Sequence, residues 1–77
     1  MKFVRVVIMP KEGLLDPQGR AVEEMLKENG FNVSNVKVGK VVELEISEDT
    51  DLKKLVEKYL INPLIEDYEI EELSQKS

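Results

Sequence analysis

Alternating and helically spaced apolar positions divide this chain into six segments. Phe3 to Met9 is rich in β-branched residues and ends at Met9-Pro10, the pattern of a strand. Val4, Val6 and Ile8 fall on one face of it, and Phe3, Arg5, Val7 and Met9 on the other. Lys11 to Leu15 reads as a loop into a helix over Asp16 to Asn29, where Val22, Met25, Leu26 and Asn29 share a face and Lys27 and Glu28 turn outward. Gly30 is placed to close that helix in the left-handed conformation. Phe31 to Lys37 alternates loosely, and Val42, Leu44 and Ile46 alternate with Glu43 and Glu45 as a half-buried strand. Between them, Gly39-Lys40 fits the Gly-X turn of a type II′ hairpin, with one long strand bulged at Gly39 as the runner-up. Thr50 or Asp51 can cap a second helix whose stripe is Leu52, Leu55, Val56, Tyr59 and Leu60. Asn62-Pro63 stops that helix. Ile65 to Ile70 returns as a strand with Tyr68 and Ile70 on one face and Asp67 and Glu69 on the other, and Glu71 to Ser77 reads as a fraying tail.

The order β-α-β-β-α-β predicts an α+β, ferredoxin-like sandwich in a single domain over residues 1–77, an antiparallel sheet with two helices on one face. Phe3, Val7, Met9 and Val41 would then lie on the uncovered face. Contiguous apolar surface of that kind is seldom left bare, so these four residues are the expected homodimer interface. The alternative is that Phe3 and Met9 merely lie at fraying strand ends. Size argues for association too. A small single core supplies only about 3–5 kcal/mol, and a chain of 77 residues without Cys or His has neither disulfides nor zinc to reinforce it. A dimer of dimers follows if strand edges pair as well.

Composition narrows the chemistry. A net charge of −5 argues against nucleic acid, which calls for clustered Lys and Arg. No apolar run approaches the ~18 residues of a membrane helix, and Met1-Lys2 leads into a strand pattern instead of a signal peptide, so a cytoplasmic protein without membrane partners is expected. Without His or Cys the chain cannot build a Ser-His-Asp or Cys-His arrangement alone. Ser34, Ser47, Thr50, Ser74 and Ser77 have no base nearby in sequence, and the many carboxylates read as solvated surface. No catalytic or metal-binding residue is assigned.

One segment is more specific than folding requires: Gly13-Leu14-Leu15-Asp16-Pro17-Gln18-Gly19-Arg20-Ala21-Val22. Asp16 is a good N-cap, and Pro17 suits the first helical position. Gly19 breaks this grammar, because glycine within a helix costs about 0.5–1 kcal/mol relative to alanine. Close approach of a ligand or of another backbone would account for it. An anion held by the first-turn N–H groups, with Arg20 assisting, is one reading. Asp16 already occupies the cap with negative charge and no Walker-type Gly-Lys-Ser/Thr is present, so packing against another chain is the favoured one. Alone, Lys40 beside Gly39 reads as a solvated turn lysine, and Asn62-Pro63 with Ile65-Glu66-Asp67-Tyr68 as a helix stop with surface charge.

Taken together, the Leu-Asp-Pro-Gln-Gly element, Val38-Gly39-Lys40 before Val42-Glu43-Leu44, and Asn62-Pro63 before Ile65-Glu66-Asp67-Tyr68 resemble the PurS family, from about Lys2 to Ile70. Leu14 stands where that family often has valine. The resemblance implies a non-catalytic small subunit of phosphoribosylformylglycinamidine synthase in de novo purine biosynthesis. A glutaminase subunit would release ammonia, and a large synthetase subunit would use ATP and Mg to activate formylglycinamide ribonucleotide. The small subunit, as a dimer, would bridge the two and bind no cofactor alone. Partner contacts are expected at Asp16, Gln18, Gly19 and Arg20, with a second contact at Gly39 and Lys40. The competing class is a free-standing ferredoxin-like dimer that binds or senses a small molecule.

Overall fold

In the computed structural model of the chain, which describes residues 1–12 and 16–73, β1 (Lys2–Pro10) is the central strand of an antiparallel sheet. β2 (Lys40–Ile46) and β3 (Glu66–Leu73) flank it, giving the order β2-β1-β3. The register sets Val6 opposite both Val42 and Ile70, and Ile8 opposite Tyr68, so one sheet face collects apolar side chains from every strand. Val4, Val6 and Ile8 are fully buried there. The pairing also runs on to Leu73, which lies opposite Phe3, so Glu71 to Leu73 belong to the sheet and not to a fraying tail. The expectations for Gly13, Leu14, Leu15 and residues 74–77 lie outside the described residues.

One helix covers this face. Asp51, not Thr50, caps α2 (Leu52–Leu55), its carboxylate accepting the Lys54 N–H at 3.1 Å. The chain then widens into a π-helical turn, Val56–Leu60, closed by the Ile61 N–H donating to the Val56 carbonyl at 3.1 Å. A π turn holds more residues than an α turn, so the apolar stripe drifts out of phase. Val56 is fully buried and Leu60 and Ile61 pack on the core, whereas Tyr59, expected in the stripe, is 76% exposed. Tyr68 on β3 donates its O–H to Glu57 at 2.7 Å, fastening the sheet to this turn, and that bond holds the phenol above its ordinary pKa.

Helix α1 (Pro17–Glu28) has the expected ends. Pro17 is its first residue, and Asp16 caps it. At the other end Gly30 adopts φ 89°, its N–H bonding to the Lys27 carbonyl at 3.1 Å while the Phe31 N–H bonds to the Leu26 carbonyl at 3.0 Å. This reciprocal closure satisfies two terminal carbonyls. The apolar face of α1, however, does not join the core. Gly19 is its sole buried residue, and none of its side chains packs on the cluster of Val6, Ile8 and Val56. The molecule is accordingly long and flat, 48 × 33 × 13 Å, with a radius of gyration of 15.8 Å. A compact chain of this length would have about 11.5 Å.

The α+β class with two helices and an antiparallel sheet stands, but the strand expected over Phe31 to Lys37 does not form. Side-chain parity gives the reason. A two-residue turn at Gly39-Lys40 would oppose Lys37 to Val42 and Asn35 to Leu44, turning a lysine and an asparagine onto the core face and Val36 toward Glu43. Asn35 also kinks the segment, with φ 57°. The chain instead runs through Gly39 into β2, which begins only at Lys40, so the single long strand bulged at Gly39 does not form either. A Cβ at Gly39 would collide with the Ile8 carbonyl and the Met9 sulfur, so glycine lets the chain cross the end of β1.

Candidate functional site

The motifs that lie far apart in sequence meet at one cleft. Its volume is about 560 Å³, and among the described residues it is bounded by Asp16 and Gln18 at the start of α1, by Val38, Gly39 and Lys40, and by Ile65 and Glu66 before β3, with Ile8 and Pro10 as its floor. Asp16 builds this corner with both carboxylate oxygens. Oδ1 accepts the Gly19 N–H at 3.0 Å, the ordinary N-cap bond, and Oδ2 accepts the Val38 N–H at 3.1 Å from the segment entering β2. Glu23 repeats the device two turns along: Oε1 accepts the Val36 N–H at 3.1 Å, while Oε2 pairs with Lys27 at 2.9 Å. The Lys27 hydrogen bond, followed by the Val36 N–H, holds the Glu23 carboxyl below its usual range. Alternate N–H groups of the extended segment thus point at α1, and two carboxylates substitute for a neighbouring strand.

The opposite wall is a reciprocal loop. The Asn62 carbonyl accepts N–H bonds from Ile65 at 3.0 Å and Glu66 at 2.9 Å, and Glu66 Oε1 returns by accepting the Asn62 N–H at 2.8 Å. Asn62 Oδ1 also accepts the Leu64 N–H at 3.1 Å. Asn62-Pro63 therefore shapes the cleft wall besides ending the helix. Lys40 Nζ lies 3.9 Å from Glu66 Oε2, a loose pair across the opening in which Lys40 is exposed and Glu66 half-buried. The Ile65 carbonyl accepts the Lys11 N–H at 2.9 Å, holding the wall against the end of β1.

Of the expected contact residues, Asp16, Gln18, Gly39 and Lys40 line the cleft, and Gly19 and Arg20 do not. Gly19 requires a correction. It is buried within the chain, and a Cβ there would strike the Asp16 carboxylate and the Val36 carbonyl oxygen. The helix start packs that closely on the 36–38 segment, so the chain's own backbone accounts for the glycine without another subunit. Arg20 is exposed outside the cleft. Sequence reasoning missed Glu23, although Asp16, Gly19 and Glu23 are spaced along one helix face, which is the signal that could have found it.

The arrangement suits docking more than bond-making. The Asp16 carboxylate is fully engaged by backbone N–H groups and Glu66 by its own loop, while Gln18 and Lys40 remain exposed at the rim. Asp16 already takes the Gly19 N–H and brings negative charge to the start of α1, which opposes an anion there. On the far side of the sheet, Phe3, Val7 and Met9 are half-buried and Val41 is 57% exposed. Arg5 crosses that face, bonding Glu43 at 2.7 Å and Glu71 at 3.2 Å, and the Glu43 bond raises its pKa. No described helix is long and apolar enough to cross a membrane.

Fold and site define the chain as a small α+β protein with a cleft whose rim exposes Gln18 and Lys40. Comparison with known proteins makes this specific. The family model for PurS, phosphoribosylformylglycinamidine (FGAM) synthase, matches residues 3–74, and the chain belongs to that family. It is 45% identical to the FGAM synthase subunit PurS of Bacillus subtilis strain 168, over 95% of this chain and 96% of that one. The fold matches a solved B. subtilis PurS structure with a TM-score of 0.86 and 41% identity, covering 96% of this chain and all of that one. It also matches a chain in a structure of PurLQS from Thermotoga maritima, with a TM-score of 0.75 and 30% identity over 95% of this chain and 100% of the other.

Proposed function

We propose that this chain is the non-catalytic small subunit of an FGAM synthase in de novo purine biosynthesis, acting as a homodimer that bridges a glutaminase and an ATP-dependent synthetase in the cytoplasm. The observation that carries this reading is end-to-end likeness: the chain and its PurS relatives cover one another almost completely. The match to a chain of a PurLQS structure supports assembly with the other subunits. ATP and Mg are assigned to the synthetase and the glutamine nucleophile to the glutaminase. This fits a chain without His or Cys, in which Asp16 already accepts the Gly19 N–H in the first turn of α1.

Docking is assigned to the cleft rim. Gln18 and Lys40 are exposed there, on a corner that Asp16 and the Asn62–Glu66 loop hold rigid. Gly19 supports it from beneath, so a bulky residue at Gly19 would damage the helix start itself and would not report on docking. The small-molecule reading rests on the volume of the cleft alone. The test is reconstitution: the chain is added to glutaminase and synthetase subunits, and glutamine-dependent FGAM formation is followed with the Gln18→Ala/Lys40→Glu variant in parallel. Activity that requires the native chain and falls with the variant is expected. Equal activity with and without the chain would refute the reading.

A further inference from the structure

We infer that Asn29-Gly30, at the end of α1, is a latent deamidation site: the helix closure keeps it inert, each opening of that closure exposes it, and the product then holds the closure open. This goes beyond the subunit role and does not depend on it. The chain has four asparagines, and the residue after each decides whether its backbone nitrogen can attack the side-chain amide. Asn32 and Asn35 precede valine, whose branched side chain crowds the approach, and Asn62 precedes proline, which has no N–H to give up. Asn29 alone precedes glycine, the least hindered nucleophile and the residue with the widest backbone freedom. Both residues are exposed, and a Cβ at Gly30 would meet nothing within 4 Å. Solvent therefore reaches the junction, and burial does not protect it.

Geometry protects it instead. Asn29 lies at φ −99°, ψ 16°, which turns the Gly30 nitrogen away from the Asn29 side chain. The Gly30 N–H donates to the Lys27 carbonyl at 3.1 Å, and the Phe31 N–H to the Leu26 carbonyl at 3.0 Å. The Asn29 amide is tied down as well, Nδ2 donating to the Met25 carbonyl at 2.8 Å. Nucleophile and electrophile are thus held apart by bonds that are lost together when the last turn opens. In the open chain, solvent base removes the Gly30 amide proton and the nitrogen attacks Asn29 Cγ. The new N–Cγ bond closes a five-membered imide as the Cγ–Nδ2 bond breaks, and ammonia leaves with a proton from solvent. Water then adds to one imide carbonyl and opens the ring, giving aspartate or isoaspartate. One water enters and one ammonia leaves, with no oxidant or reductant. The aspartate carboxylate has no N–H for the Met25 carbonyl, and it brings negative charge to the helix C-terminus, where the macrodipole opposes it. Isoaspartate lengthens the backbone by one methylene and takes the closure out of register. Either product disfavours reclosure.

The full chain is incubated in mildly alkaline buffer, folded and in urea, and conversion at each asparagine is followed by peptide mapping and mass spectrometry. In urea, Asn29 is expected to convert well ahead of Asn32 and Asn35. In the folded chain its conversion should be slower by about tenfold or more, the effect of one or more hydrogen bonds that must first open. Phe31→Pro removes one closing N–H and leaves the Asn29-Gly30 pair intact, so it should speed conversion of the folded chain while far-UV circular dichroism shows its helices retained. Asn29→Asp reproduces the aspartate product and should lose hydrogen-exchange protection at the Gly30 and Phe31 amides. The proposal is overturned if Asn32 or Asn35 converts as fast as Asn29 in urea, if folded and unfolded chains convert Asn29 at one rate, or if Asn29→Asp protects the Gly30 amide as well as the native chain does.

Discussion

Asp16→Asn separates the two tasks of the cleft's organising residue. Asparagine is as good an N-cap as aspartate, so Oδ1 can keep its 3.0 Å bond to the Gly19 N–H. The second oxygen becomes an amide nitrogen, which cannot accept the Val38 N–H that Oδ2 now takes at 3.1 Å. Two donors then face each other. A hydrogen bond to a charged acceptor contributes about 1.5–3 kcal/mol, and the partial exposure of this corner places the loss near the lower end. At about 1.4 kcal/mol per tenfold, the Val38 amide should exchange with solvent roughly ten times faster, with the Gly19 amide little changed. Asp16→Ala should also lose the cap, about a further 1 kcal/mol, and expose both amides. Native-state hydrogen exchange followed by NMR reads the two sites separately. If Asn at position 16 protects Val38 as well as Asp does, the carboxylate is an ordinary cap and the cleft is not organised as described.

Gly19→Ala should destabilise the packing of α1 on the 36–38 segment by about 1–3 kcal/mol, although alanine ordinarily favours a helix, because the added methyl meets Asp16 and the Val36 carbonyl. A denaturation midpoint raised by the substitution would contradict this packing. Glu23 has a depressed folded pKa against an ordinary value of 4.5, so its contribution is present above about pH 4.5 and is lost as pH falls through the folded value. The Val36 amide should therefore lose protection on acidification, and Glu23→Gln should remove that pH dependence. Protection of Val36 that is unchanged between native and Glu23→Gln across this range would rule the linkage out.

Several features were legible in the sequence because they depend on neighbours along the chain. Asp16 and Asp51 as caps, Pro17 at the first helical position, Gly30 at positive φ and the faces of β1 all follow from spacing of four residues or fewer. The π turn was not legible, since the 3.6-residue pattern of Leu52, Leu55, Val56, Tyr59 and Leu60 is itself consistent with an α-helix. Which of Tyr59 or Ile61 reaches the core depends on the sheet beneath them. The hairpin failed for a related reason. Gly39-Lys40 is good turn chemistry, but parity across the whole segment opposes it, and the Ile8 carbonyl that excludes a side chain at Gly39 belongs to a distant strand.

The sequence by itself determined the α+β class, the helix ends, the alternation of β1 and β2 and a family signature in three scattered pieces. These are periodic or local properties written in adjacent residues. Only the tertiary structure decided that the pieces line one cleft, that Gly19 and Gly39 are small because the chain's own carbonyl groups crowd them, and that α1 stands off the sheet. Each of those is a contact between segments remote in sequence. A glycine records that space is short without recording what occupies it.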